Sequence, residues 1–231
     1  MTLVGWWPLT EVSGDVLDYS GKGNNGTING SPTRDISGPV GYSAYNFDGS
    51  SDSISATPYS TSDFDKLTFS VWVRPTDNTT EQFIMAFAST TTPSHFEFHF
   101  EDYDSDGDFE LSIYPRDDNQ DGNIMYADNY FPDSNWSHIA GVKDGESFGD
   151  LSLYLNGVEL STSASGIGTT TTFTIDTFTI AGKDTGSLFS EYQGDMFDAR
   201  VYDRALSQRE ISYLYEVGLS GNIRFDSKTS P

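Results

Sequence analysis

Residues 95–101 read His-Phe-Glu-Phe-His-Phe-Glu and run into Asp-Tyr-Asp-Ser-Asp-Gly. On an extended strand successive side chains point to opposite faces, so His95, Glu97, His99 and Glu101 share one face while Phe96, Phe98 and Phe100 share the other. Two imidazoles and two carboxylates in a row suit three kinds of work: acid–base hydrolysis, metal binding, or polar contact with a ligand. Glycoside hydrolysis needs two carboxyl groups about 5–5.5 Å apart for retention, or roughly 6.5–9.5 Å apart for inversion. Glu97 and Glu101 lie four residues apart, which places their stems about 13 Å from each other at the usual strand rise. That spacing argues against catalysis by this pair. His95, Glu97 and His99 have the chemistry of zinc ligands, but successive same-face side chains are about 6.6 Å apart. Convergence on one ion would need a bend or help from neighbouring strands. A glycan-contacting polar wall and a plain solvated face both stay open.

The turns beyond this strand carry a second kind of candidate. Asp102-x-Asp104-x-Asp106-Gly107 and Asp117-x-Asn119-x-Asp121-Gly122 place acidic or amide oxygens at alternate positions before a glycine, and Asp128 stands where a closing carboxylate of the second loop would sit. A hard cation takes about six to eight oxygens, so either set plus carbonyls is a calcium candidate. Both turns sit between strand-like runs, and Asp and Gly are also what hairpin loops use. Tyr103, Tyr114, Tyr126 and Tyr130 surround these loops. Tyr103 and Tyr126 are the choices for stacking on a sugar ring, with strand packing as the alternative.

Elements must hold these residues in place, and composition bounds them. The 231 residues hold 33 aromatics if 4 Trp, 13 Tyr and 16 Phe are added, enough for a real core, and no cysteine. Disulfides and thiolate metal sites are therefore excluded. Acidic residues number 35 against 12 basic ones, for a net charge of -23. Phosphate binding needs the opposite sign, so nucleic acid is not an expected partner. Self-repulsion strains such a chain at low salt, and molar salt, with a Debye length of about 3 Å, relieves it. This is the pattern of a protein from a halophile. No apolar run approaches the roughly 18 residues of a membrane span, so no membrane insertion is expected. Nor does a charged leader with an apolar stretch precede the first strand.

Short β-rich runs separated by Gly, Asp, Asn and Pro fill the chain: LTFSVWVRP, HFEFHFE, FELSIYP, NIMYADNYF, WSHIAGVKD, LSLYLNGVEL, TTFTIDTFTIAG and MFDARVYD. Asn156-Gly157 between apolar runs predicts a two-residue type I′ hairpin. One helix is expected in LSQREISYLYEVG, with a capping box of Ser207 and Glu210, a stripe of Ile211, Leu214 and Tyr215, and Gly218 as its end. The fold class is all-β: a two-sheet antiparallel jelly-roll sandwich with one short C-terminal helix. One domain over 1–218 and a polar tail or arm over 219–231 are expected.

Seven segments occur in an order that resembles the laminin G-like domains of the concanavalin A-like lectin/glucanase superfamily. They are Trp7-Pro8-Leu9, the loop from Asp18 through Ser20, Gly21, Gly23, Asn24, Asn25 and Gly26, Phe47-Asp48-Gly49, FSVWVRP, WSHIAGV, LYLNGV and GDMFDARVYDRALS. The resemblance covers about residues 3–217 and implies two curved antiparallel sheets that bind glycans or proteins, often with calcium at the rim. It also implies a calcium set of Asp18, Asn24 and Asp198, which would pin the amino-terminal loop to the last strand. Phe197 stands where related chains carry a further acid. The glucanases of the superfamily carry Glu-x-Asp-x-x-Glu or Glu-x-Asp-x-Glu, and neither string occurs here.

The expected function is a non-catalytic module that binds a host surface glycan or glycoprotein. Ligand contacts are assigned to His95, Glu97, His99, Glu101, Tyr103 and Tyr126. Starting at its first strand without a leader, the chain fits a virion surface component of a virus infecting a halophile, such as a tail fibre, spike or turret. Virion subunits and further copies of the chain are then its expected neighbours. A purely architectural subunit and a glycan-degrading enzyme are the alternatives.

Overall fold

The computed structural model describes residues 3–56, 65–103, 105, 109–127, 135–147, 150–167 and 172–223. Asp104, Asp106, Asp128, Tyr130 and the end of the chain from 224 onward lie outside the described residues.

Two antiparallel sheets face each other. The first runs in the order β13 (Val158–Glu159), β12 (Leu151–Leu155), β11 (Ser137–Asp144), β6 (Lys66–Pro75), β18 (Gln193–Tyr202), β4 (Ser43–Asp48) and β3 (Thr33–Ser37), with β1 (Leu3–Trp7) also on β18. The second runs β14 (Ser163–Ile167), β10 (Gly122–Ala127), β9 (Glu110–Arg116), β8 (His95–Glu101), β7 (Gln82–Ala88), β15 (Thr177–Ile180), β5 (Ser53–Ala56) and β2 (Gly26–Asn29). A small hairpin, β16 (Lys183–Asp184) and β17 (Leu188–Phe189), forms a separate two-stranded sheet. This is the expected jelly-roll sandwich.

Period-two alternation decides which side chains enter the core. Phe69, Val71 and Val73 of β6 meet Phe96, Phe98 and Phe100 of β8 between the sheets. All six are fully buried, and each such side chain contributes about 1.5–3 kcal/mol relative to exposure. Phe69 stacks on Phe98 at 5.9 Å between ring centroids and on Phe87 at 5.8 Å. Asn156 and Gly157 both have positive φ, 51° and 78°, as a type I′ turn requires. Of the described residues of TTFTIDTFTIAG, only Thr177–Ile180 form a strand.

The back of the first sheet is closed by helix α1 (Gln208–Ser220). Ile211 and Leu214 pack on Ala140, Val142, Tyr154 and Tyr202, and Tyr215 stacks on Trp72 at 5.6 Å. Glu210 accepts the Ser207 N–H at 2.9 Å and pairs with Arg204 at 2.6 Å, so the amino-terminal end is held as expected. Its other end differs from the expectation. Gly218 lies inside the helix, at a close approach to the first sheet where a Cβ would sit 2.4 Å from Trp72 Nε1. Gly221, at φ 67°, makes the left-handed cap. The expected tail therefore starts later than 219: residues 219–220 complete the helix and Ile223 is buried beside Trp72 and Phe197. Among the described residues no helix is long and apolar enough to cross a membrane.

Candidate functional site

Because the phenylalanines of β8 point inward, its histidines and glutamates form the outer face of the second sheet. Antiparallel register then fixes their neighbours: Glu97 is opposite Tyr114, His99 opposite Ser112 and Glu101 opposite Glu110 on β9. On β7, Phe83 is opposite His99 and Ala86 opposite Glu97. Ser112 in turn is paired with Tyr126 of β10. The sheet thus gathers five of the six residues assigned to ligand contact onto one face, and Tyr103, two residues beyond β8, joins them through its ring contact with Tyr126.

They are not equally accessible. The β16–β17 hairpin folds against this face: Lys183 lies 5.0 Å over the Phe83 ring and its Nζ pairs with Glu97 Oε1. Beneath it His99 is 0% exposed, Glu97 4% and His95 7%. These three are closed from solvent, so the solvated-face reading fails for them, and of the six only Glu101, Tyr103 and Tyr126 keep surface open to solvent. Tyr103 is 37% exposed and its ring lies 4.9 Å from that of Tyr126. Lys183 carried no motif that would single it out in sequence.

Burial sets the protonation of this face. His95 is pushed down to about 2, first by desolvation and then by the cations Lys183 and Arg116. Glu97 is pushed up by desolvation, with the Lys183 ammonium opposing. Glu101 is held low, chiefly by its hydrogen bond with His99 Nε2 at 3.0 Å. Several polar atoms here are buried without a hydrogen-bond partner in the protein: His99 Nδ1, Ser112 Oγ and Thr179 Oγ1; His95 Nε2 lies 3.4 Å from Glu97 Oε1.

The close carboxylates come from neighbouring strands rather than from along β8. Glu81, just before β7, His99 and Glu101 each offer a ligand atom within 4.8 Å of the others. Glu110 follows on β9, buried, accepting the Tyr103 N–H at 2.9 Å. Glu81 escaped the sequence reading because cross-strand register is not written along a single strand. Among the described residues this is the one group of three His, Cys, Asp or Glu side chains spaced to hold a metal ion; His95 and Glu97 are not in it.

Asp117 does different work. It is buried between β9 and β10, and its Oδ1 accepts the Asn119 and Asp121 N–H groups at 2.9 and 3.0 Å. That is the hairpin use of Asp; Asn119 is exposed and Asp121 half-buried at the tip. Asp102 is half-buried, with Oδ1 enclosed and without a partner. The rest of its loop, Asp104 and Asp106, lies outside the described residues, as does Asp128.

The set implied by resemblance gathers around Trp6. Asp18 Oδ1 accepts the N–H groups of Trp6 and Ser20, and Oδ2 accepts Ser20 Oγ–H and the Asn24 N–H, all between 2.8 and 3.0 Å. Asn24 donates its amide to Val4 O and accepts the Trp7 indole N–H. Asp198 sits at a bulge of β18 with φ 56° and accepts the Trp6 indole N–H at 2.7 Å. Its charge is balanced by Arg200 at 2.9 Å, which also lies 4.6 Å over the Trp6 ring. The Asp18 and Asp198 carboxylates are thus engaged by protein donors. The loop is pinned to β1 and β18, with Trp6 as the link.

Comparison with known proteins agrees with this architecture. No curated protein matches the sequence significantly. Among solved structures, the binding domain of Paraclostridial Mosquitocidal Protein 1 superposes with a TM-score of 0.70 at 15% identity, over 93% of this chain and 52% of that one. Domain 4 of AbnA, an extracellular GH43 arabinanase from Geobacillus stearothermophilus solved with arabinotriose, gives 0.67 at 18% identity, over 93% and 98%. The ligand-binding domain of botulinum neurotoxin serotype D, solved with N-acetylneuraminic acid, gives 0.67 at 12% identity, over 93% and 50%. The chain therefore spans about half the length of the two toxin domains and nearly all of the arabinanase domain. At these identities the likeness establishes the fold alone. The profile of one family matches residues 48–212, and on that match this chain belongs to the concanavalin A-like lectin/glucanases superfamily.

Proposed function

We propose that the chain is a non-catalytic glycan-binding module whose contact surface is the open end of the second sheet's outer face, around Glu101, Tyr103 and Tyr126. The observation that carries this is the pairing of the Tyr103 and Tyr126 rings at 4.9 Å beside Glu101, on a face where buried polar groups lack protein partners. Aromatic rings offer an apolar body with a polar tip, the surface a sugar ring packs against, and carboxylates accept its hydroxyl protons. Structural neighbours solved with arabinotriose and N-acetylneuraminic acid support the ligand class.

The Glu81–Glu101 approach favours a second reading, a retaining glycosidase. Such an enzyme needs one carboxyl kept protonated near neutral pH. Glu101 is held low instead, and the raised carboxyl, Glu97, is closed off beneath Lys183. A halophilic setting is supported by the net charge of -23, and display on a virion or another outer surface is the placement we propose for the module.

The test is a glycan array in molar KCl, paired with a reducing-end assay on the same glycans. Saturable binding without turnover is expected. Tyr103→Ala and Tyr126→Ala should each weaken it about tenfold, equivalent to about 1.4 kcal/mol. Release of product by the parent, abolished in Glu81→Gln, would establish the enzyme instead. Absence of any bound glycan would leave an architectural role.

A further inference from the structure

We propose that Glu81, His99 and Glu101 form a binding site for a divalent transition-metal ion, for which zinc is the natural probe. The three ligand atoms already lie within 4.8 Å of one another. Ligands about 2.0–2.2 Å from a tetrahedral ion stand roughly 3.3–3.6 Å apart, so closure needs movements under about 1 Å. His99 supplies the rigid part. Its side chain is 0% exposed, its ring lies 5.3 Å from that of Phe83, and its Nε2 is directed at Glu101. Glu101 is half-buried and Glu81 exposed, so the two carboxylates have the freedom to close on the ion.

Two independent observations point to a ligand here. First, His99 is wholly buried yet its Nδ1 has no protein partner, and neither does the Oγ of Ser112, its direct cross-strand neighbour. A metal on Nε2 would fix the proton on Nδ1 and leave it a buried donor, the position that an outer-shell acceptor such as a bound water fills at metal-bound histidines. Second, the face carries Glu81, Glu97, Glu101 and Glu110, while its nearby ammonium, Lys183, is committed to Glu97. A divalent ion would offset the remaining repulsion between Glu81 and Glu101.

Donor chemistry selects the class of ion. Calcium and magnesium call for oxygen-only shells of about six to eight or about six ligands, whereas one imidazole nitrogen with two carboxylates suits zinc or a neighbouring first-row ion. Three protein ligands leave a coordination position for water or a ligand hydroxyl. The Ser190 hydroxyl donates to Glu81 at 3.0 Å, which ties the end of the β16–β17 segment to the same site.

Isothermal titration of the chelator-treated full chain with ZnCl₂, in molar KCl to suppress loose association with the acidic surface, tests this without any glycan. One zinc per chain is expected, with Glu81→Gln and Glu101→Gln each at least about tenfold weaker and Asp18→Asn unchanged. Glu81 is exposed, so its variant tests the site without threatening the fold. Cobalt should give visible absorption bands that Glu81→Gln diminishes. Absence of saturable zinc binding, equal binding by the parent and both glutamine variants, or displacement of zinc by an equal concentration of calcium would each overturn the assignment. The metal site stands or falls separately from glycan recognition, which the array measures.

Discussion

Two acidic clusters divide the work in this molecule. Around Trp6, Asp18 and Asp198 are each matched by protein donors: four hydrogen bonds to the Asp18 carboxylate, and an indole plus a guanidinium for Asp198. On the outer face of β8, Glu81, Glu97, Glu101 and Glu110 confront Lys183 and a histidine with an unpaired nitrogen. The first cluster looks like a ligand site by its residue types and is a clamp by its hydrogen bonds. The second keeps polar capacity in reserve. What separates the two clusters is the supply of protein donors: each Asp of the first is met by hydrogen bonds or a guanidinium, whereas four glutamates of the second share one lysine and one histidine.

The comparison is open to attack in order of effect. Removing Lys183 leaves Glu97 buried without its cation, so Lys183→Met should cost about 3–5 kcal/mol in urea unfolding. Adding Glu97→Gln should recover most of that loss. A single-variant cost below about 1 kcal/mol would show that the hairpin does not enclose Glu97. On the other cluster, Asp18→Ala should cost about 2–3 kcal/mol, since its hydrogen bonds are charge-assisted but partly solvated, and should leave glycan and zinc binding unchanged. Weakened zinc binding in that variant would return Asp18 to the ligand side.

Acid should distinguish the two clusters next. His95 is buried neutral with its pKa pushed down to about 2, whereas an unfolded histidine titrates near 6.5. Its stabilising share is complete above about pH 6.5 and is lost as pH falls below that value, because the unfolded chain gains a proton that the folded one refuses. Between pH 7 and 5 the loss is about 2 kcal/mol. His138, pushed down to about 3 by burial in the first sheet, loses a similar share. Glu97, raised by burial, works in the opposite direction: its share is present at low pH and lost as pH rises through the folded value. His95→Gln should therefore flatten the dependence of urea stability on pH by about one histidine's share. An unchanged slope would mean that His95 is hydrated. Smallest of all, Tyr103→Ala should change stability by less than about 0.5 kcal/mol, since an exposed ring contributes little to folding. Its effect belongs to binding, and a larger loss of stability would make Tyr103 a packing residue.

Much of the fold could be read along the chain. LTFSVWVRP and HFEFHFE announce their inward faces by alternation, and β6 and β8 supply those faces to the core. Asn156-Gly157 announces its turn because both residues tolerate the positive φ that a type I′ turn demands. Where reading stopped short, the deciding contact was distant in sequence. Gly218 looked like a helix end because glycine commonly is one, but Trp72 occupies the space a side chain would need. His95, Glu97 and His99 looked exposed because β8 alternates, but a hairpin nearly ninety residues downstream folds over them.

The sequence alone determined the two-sheet class, the aromatic core and which face of β8 is polar, because these follow from side-chain alternation and turn chemistry within a few neighbouring residues. Tertiary structure decided that Asp18 clamps a loop, that Glu81 joins Glu101 and His99, and that Lys183 seals Glu97. Those outcomes depend on strand register and loop placement, where hydrogen-bond donors and charges from remote segments compete for the same carboxylates.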